Sequence, residues 1–236
     1  MTTPEPEKPE FRGPDKTQTE FLATVYGHRF PEPEIAAKDA IWKEIVHYLQ
    51  RYIAPTSTVL DIGCDLGYFI HHVQAGERWA TDVRDVSSSL APEVHFVHSH
   101  GLPLLDSIPR DHFDVIFMSN YLEHLPDSEA VVAQLQVVHD LLKPGGQVII
   151  LQPNIKFIGG RYWDFIDHHT ALTEASLREA AEVAQLRPVR VIARFLPYTT
   201  KSRYPQNPTL VRLYLRMPIF WRLFGEQTLL IAERDS

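Results

Sequence analysis

The chain has 236 residues, 44% of them hydrophobic and 22% charged, and a formal net charge of −7 at pH 7. This suits one α/β domain with a full core, and the acidic balance excludes broad, sequence-independent nucleic-acid binding. A single cysteine, Cys64, excludes an internal disulfide, no apolar run is long enough for a transmembrane segment, and no signal-peptide pattern opens the chain, so a cytoplasmic protein is expected.

Residues 1–16 are rich in Pro, Glu and Thr, have little to bury, and read as a mobile arm. A short helix is expected over Thr17–Tyr26. A firmer one spans Glu34–Tyr52, with Ile41, Trp42, Ile45, Val46 and Leu49 available for packing. Val59, Leu60 and Ile62 then form an apolar run that Gly63 and Gly67 break. Leu66–Val73 reads as the opening of a helix with Phe69, Ile70 and Val73 inward. A strand, a glycine turn and a helix N-terminus let backbone approach a ligand closely. Asp61 projects its carboxylate toward the same place. A dinucleotide-binding loop would need G-x-G-x-x-G, and that spacing does not occur here.

A second strand, Arg78–Val83, ends beside Asp82, which is either a ribose-binding carboxylate or the cap of the turn at Ser87–Ser89. Val94–Val97 is the third strand, followed by His98 and His100 in a loop. Phe113–Asn120 is a strong buried strand, leaving Asn120 and Tyr121 at its C-terminal edge. Glu123 and His124 are adjacent, so their side chains diverge, and no further acidic ligand is near in sequence; no metal is expected. Asp127–Leu142 forms an amphipathic helix, stopped by Leu142-Lys143-Pro144-Gly145-Gly146 before a fifth strand at Gln147–Gln152.

Three of these stretches together resemble class I S-adenosylmethionine (SAM) dependent methyltransferases of the small-molecule type. V-L-D-I-G-C-D-L-G-Y-F is similar to the motif (D/E)-x-G-x-G-x-G, matched at Asp61, Gly63 and Gly67 but with Asp65 at the central glycine. F-D-V-I followed by L-E-H-L resembles the fourth-strand motif, and L-K-P-G-G the turn before the fifth strand. The resemblance implies a three-layer, Rossmann-like α/β fold with a seven-stranded sheet, N-terminal helices and a helical insertion before the last strand. It also implies SAM as cofactor, with S-adenosylhomocysteine as product. The donor would lie along Asp61, Gly63, Cys64, Asp65 and Gly67, with its ribose at Asp82 and Val83, beside Asn120 and Tyr121. His100 stands where relatives carry an adenine-binding Asp. Asp65 could pair with the donor's amino group, cap the following helix, or crowd the site.

Beyond Pro153 an acceptor-side cap is expected over roughly 154–225, within a methyltransferase domain of residues 17–236. An aromatic loop, Ile158–Phe165, leads into Asp167-His168-His169. A helix follows over Thr173–Gln185, then a sixth strand at Arg187–Phe195. Tyr198, Lys201, Arg203 and Tyr204 lie in the next loop. Thr209–Phe224 is helical and should be split by Pro218, and Gln227–Glu233 is the seventh strand. His168 or His169 is read as a general base oriented by Asp167, or else as a tether for its loop. Aromatic rings beside cations suit a hydroxyl of a sugar, glycolipid or other polar metabolite. SAM binding without turnover and a macromolecular acceptor are the alternatives; an N-P-P-Y motif for amino-methylation is absent. The region 209–224, with Arg212, Arg216 and Arg222, reads first as ordinary helix packing; an oligomer contact, a wall of the acceptor site or a peripheral membrane contact with anionic lipid-linked substrates are the alternatives.

Overall fold

The computed structural model describes residues 32–98, 103–198 and 207–236. Five parallel strands come first: β1 (Thr58–Ile62), β2 (Glu77–Asp82), β3 (Val94–His98), β4 (Phe113–Ser119) and β5 (Leu142–Pro153). β6 (Leu186–Leu196) and β7 (Gln227–Arg234) complete one sheet in the order β3-β2-β1-β4-β5-β7-β6. β7 runs antiparallel to both of its neighbours. This is the expected seven-stranded Rossmann-like architecture. The longer helices among the described residues are α1 (Glu32–Leu49), α2 (Ser128–Leu141), α3 (Glu174–Val183), α4 (Pro208–Arg216) and α5 (Pro218–Phe224), the last two inserted between β6 and β7.

The near-continuous apolar runs of β1 and β4 follow from their central position, because helices cover both faces of the sheet. On β4, Ile116 and Met118 face one core with Val131 and Leu135 of α2 and Leu177 of α3. Val115 and Phe117 face the other, with Val46 and Leu49 of α1, Leu215 of α4 and Trp221 of α5. Phe117 stacks on Phe69 at 3.8 Å between ring centres. The pleat alone divides the two sets.

Helix ends are set by local chemistry. Asp127 caps α2 by accepting from Ala130 N at 2.8 Å, and Thr173 and Ser176 form a reciprocal capping box at the start of α3. Asn207 caps α4, with Pro208 in its first turn, and Pro218 ends one helix and begins the next.

The chain departs from expectation in five places, the first being the stretch expected as an aromatic loop over Ile158–Phe165, where one helical turn at Ile155–Ile158 runs into a 3-10 helix at Gly159–Asp164. Residues 66–73 form a series of turns, with no regular helix. Asp65 (φ 51°) and Gly67 (φ 81°) both adopt left-handed backbone, so helical bonds form only singly, from His71 N to Gly67 O at 3.0 Å and from Val73 N to Phe69 O at 3.1 Å; Phe69, Ile70 and Val73 are buried all the same. Leu142–Gly146 belongs to β5, where Leu142 pairs with Phe113 before a shift in register. Val83 lies one residue past β2, and α3 stops at Val183 because Gln185 (φ 61°) turns the chain into β6. The arm at 1–16, the helix expected at 17–26, His100, and Lys201, Arg203 and Tyr204 of the loop after β6 lie outside the described residues.

Candidate active site

Strand order reverses between β1 and β4, so their C-terminal ends open a crevice at the switch point of the sheet. The glycine turn after β1 occupies one side. Gly63 N and Cys64 N both donate to Thr81 O, at 2.8 and 3.0 Å, which pins the turn to the end of β2. Tyr121, arriving from β4, lays its ring on Gly63. A Cβ at that glycine would meet Tyr121 Cδ2 at 2.6 Å, and its φ is +73°, so both space and backbone demand glycine.

Asp65 does not reach outward. Its carboxylate accepts from Lys38 Nζ at 3.1 Å and Arg84 Nη2 at 2.8 Å, while its backbone N donates to Asp82 Oδ2 at 2.9 Å. Arg84 also donates to Asp82 Oδ1 through N at 2.9 Å and Nε at 3.1 Å. Both oxygens of the buried Asp82 are thereby engaged, and two carboxylates share one guanidinium. Burial works against an ionised Asp65, but the Lys38 and Arg84 charges outweigh it and hold the group below the usual carboxylate range. Asp61 responds in the opposite sense. Burial, reinforced by the charges of Asp82 and Asp65, raises it well above that range, and its Oδ2 meets no hydrogen-bond partner. Burial likewise raises the Cys64 thiol, leaving it neutral and no nucleophile.

Across the crevice, a short turn at Leu122–His124 follows β4. His124 Nδ1 donates to the backbone O of Asp167 at 2.8 Å, and the Asp167 carboxylate stands 3.5 Å from the same nitrogen. His168 is buried, stacked on Phe165 at 5.0 Å and next to Tyr162 at 4.7 Å, with its ring 5.2 Å from that of His124. His169 is exposed, and its backbone N donates to Glu123 O at 2.8 Å. Thr170 adds bonds from its N to Glu123 O at 3.1 Å and from Oγ1 to Leu125 O at 2.7 Å. The loop after β5 is thus tied to the turn after β4. Glu123 is fully buried; burial raises its carboxyl, and although Gln152 faces it neither oxygen has a well-formed hydrogen bond among the described residues. Ligand-capable atoms of Glu123, His124 and His168 lie within 4.8 Å of one another.

A family model described as a methyltransferase domain matches residues 35–191, well over half the chain. The chain belongs to the class I, SAM-dependent methyltransferases. No curated protein matches it in sequence. Among solved structures it is similar in fold to a chain of the complex containing the Haloferax volcanii Trm112 methyltransferase activator, at 17% identity and a TM-score of 0.64, covering 92% of this chain and 99% of that one. A SAM-dependent methyltransferase from Archaeoglobus fulgidus is similar at 22% identity and a TM-score of 0.56, over 80% and 92%. Geranyl diphosphate C-methyltransferase from Streptomyces coelicolor, solved with Mg2+, geranyl diphosphate and S-adenosylhomocysteine, is similar at 12% identity and a TM-score of 0.58, over 80% and 76%. The cofactor is SAM. This methyltransferase's crevice fits such a donor in having a glycine turn at the switch point and two buried acceptors without partners, Asp61 Oδ2 and Asn120 Oδ1.

The fold brings Asp61, Gly63, Cys64, Asp65, Asp82, Asn120 and Tyr121 to that crevice. Gly67 stands one turn further on, where a Cβ would strike Leu90 and His71. Asp167, His168 and His169 gather separately, behind the turn after β4, and the imidazole that Asp167 holds is His124. Lys38 and Arg84 escaped the sequence reading. Arg84 follows Asp82 by two residues, a spacing at which a side chain folds back on a strand-end carboxylate; Lys38, on α1, gives no such signal.

Proposed function

We propose that this methyltransferase moves the methyl group of SAM to a hydroxyl of a small polar acceptor, a sugar or a glycolipid headgroup, with His124 as general base. One observation carries the assignment. Asp167 holds His124 Nδ1 through its carbonyl, with its carboxylate close by, which leaves Nε2 as the second nitrogen of a partly exposed ring at the end of β4. An imidazole whose Nδ1 is fixed presents Nε2 as the proton acceptor. The buried His168 supports that ring, and His169 serves through its backbone. The donor would lie over Gly63 and Asn120, with the ribose on Asp82 once the Arg84 guanidinium swings aside. Methyl transfer from a sulfonium rests on in-line positioning, and removal of the hydroxyl proton makes the acceptor oxygen the stronger nucleophile.

A screen of sugars and lipid-linked sugars with labelled SAM supplies the test. His124→Asn should keep SAM affinity and lose about a hundredfold in turnover, with the loss shrinking at high pH, where the acceptor ionises unaided. Full turnover in His124→Asn together with a collapse in His168→Asn would move the base to His168. SAM binding with no turnover on any acceptor would favour a binding protein.

Glu123, with neither oxygen in a well-formed hydrogen bond among the described residues and two imidazoles beside it, supports a second reading in which a divalent cation polarises the acceptor oxygen. Calorimetry with Mn2+, Co2+ and Zn2+ against wild type and Glu123→Gln checks it; heat absent from both would end it.

A further inference from the structure

Between Glu182 and Glu226 the chain has no acidic residue, yet it carries seven arginines and one lysine, in a protein of net charge −7. Within this stretch α4 and α5 turn Leu215 and Trp221 into the core. Their other side exposes Leu210 (50%), Leu213 (51%) and Met217 (38%) at the i, i+3, i+7 spacing of one helical stripe, continued by Ile219 (55%) and Leu223 (59%). Arg216 and Arg222 are exposed among them and make no ion pair among the described residues.

A cationic groove adjoins this face. Lys43 and His47 of α1, His72, and Arg212 and Arg216 of α4 line a depression of ≈ 370 Å³. Glu44, its one carboxylate, is bonded to Arg212 at 2.6 and 2.7 Å, and His72 meets Asp39 at 2.8 Å, which leaves Lys43 and Arg216 without an ion pair among the described residues. Exposed apolar residues interleaved with arginines describe a surface that lies in a membrane interface, where side chains enter the acyl boundary and cations meet headgroups.

We infer that the outer face of α4 and α5 docks on a bilayer bearing anionic phospholipids, with the Lys43–Arg216 groove receiving a headgroup phosphate. A second copy of the chain fits the face poorly, since a two-fold contact would set the same arginines against each other. Placement gives the contact a purpose. The insertion leaves the sheet after Leu196 and returns at Glu226, whose N donates to Leu196 O at 2.7 Å and whose O accepts from Asn154 N at 3.0 Å. Both of its ends therefore stand at the C-terminal ends of β5 and β6, the same edge as the crevice. A docked protein would hold that edge beside the membrane, within reach of a lipid-linked hydroxyl. This step rests on the acceptor reading above, whereas the docking itself does not.

Sedimentation with vesicles of phosphatidylcholine alone, or with about 30% phosphatidylglycerol, is the experiment, and it needs no acceptor. The protein should pellet with the mixed vesicles only, less so as salt rises. Arg216→Glu/Arg222→Glu should weaken binding at least about tenfold, since each interfacial cation contributes about fivefold. Leu213→Ser/Leu223→Ser should weaken it as well, and both variants should keep wild-type melting and SAM affinity because the side chains are exposed. Equal pelleting with both vesicle types, none with either, or unchanged binding by both variants would overturn the proposal. A dimer in light scattering that Leu213→Ser/Leu223→Ser dissolves, without vesicle binding by wild type, would assign the face to a second copy. Vesicle binding without turnover on lipid-linked sugars would instead leave docking standing and remove the acceptor.

Discussion

The two sides of the crevice handle buried charge in opposite ways. Beside the glycine turn Lys38, Asp65, Arg84 and Asp82 satisfy one another, so a ligand at that cluster must exchange partners, although Asp61 Oδ2 nearby finds none among the described residues. Across the crevice Glu123 and Gln152 face each other, buried, with polar atoms that lack a well-formed hydrogen bond among the described residues, so a ligand there would supply partners. An exchange of hydrogen bonds is nearly neutral, whereas relief of a buried unsatisfied group gains its desolvation cost back. Donor affinity should therefore depend on how readily Arg84 lets go, and acceptor affinity on what fills the polar gap.

The largest effect that can break this contrast is on turnover. Asp167→Ala should lower it at least about tenfold with SAM affinity unchanged, because His124 loses the carboxylate that steadies its ring. Equal activity in labelled-SAM assays would show the backbone carbonyl alone to suffice. Next comes Asp82→Ala, which should weaken SAM binding by about 1.5–3 kcal/mol in calorimetry as charged hydrogen bonds to the ribose disappear. Arg84→Met sharpens the same point with the reverse sign. If the guanidinium must leave before the ribose arrives, the variant should bind SAM about fivefold more tightly while melting at a lower temperature. Weaker binding would mean that Arg84 itself touches the donor.

The smallest effect lies in the pH dependence of stability. Asp65 has its folded pKa lowered, with burial opposing and Lys38 and Arg84 prevailing. Its contribution is thus present above the ordinary carboxylate pKa and lost as pH falls through the depressed value. Asp61 has its folded pKa raised by burial and by its acidic neighbours. It weakens the fold progressively as pH climbs above the ordinary carboxylate range. Melting curves of Asp65→Asn should fall furthest below wild type at neutral pH, and those of Asp61→Asn should gain most there. Parallel shifts in the two variants would contradict the assignments.

Local chemistry was legible in the sequence, and distant pairing was not. The buried run of β4, the helix start at Asp127 and the break at Pro218 each depend on neighbours within a few residues, and each could be read directly. Residues 66–73 looked helical because Phe69, Ile70 and Val73 carry the right period. Left-handed backbone at Asp65 and Gly67 overrode it, and periodicity does not report φ. The partner of Asp167 escaped for another reason. His124 and Asp167 are 43 positions apart and meet only once the loops after β4 and β5 are tied together. The adjacent histidines at 168 and 169 carry the same signal in sequence, although one is buried and the other exposed.

The insertion of β7 between β5 and β6 bears on how the molecule assembles. β6 touches the sheet only through β7, so its register against Gln227–Arg234 has no template until that last strand is present. Strands β1 to β5 can pair in order as they emerge, leaving the edge of β5 open meanwhile. The closing step joins segments far apart in sequence, and contacts of that kind are slow to form. An uncovered β5 edge during synthesis is a place where two nascent chains could pair with each other.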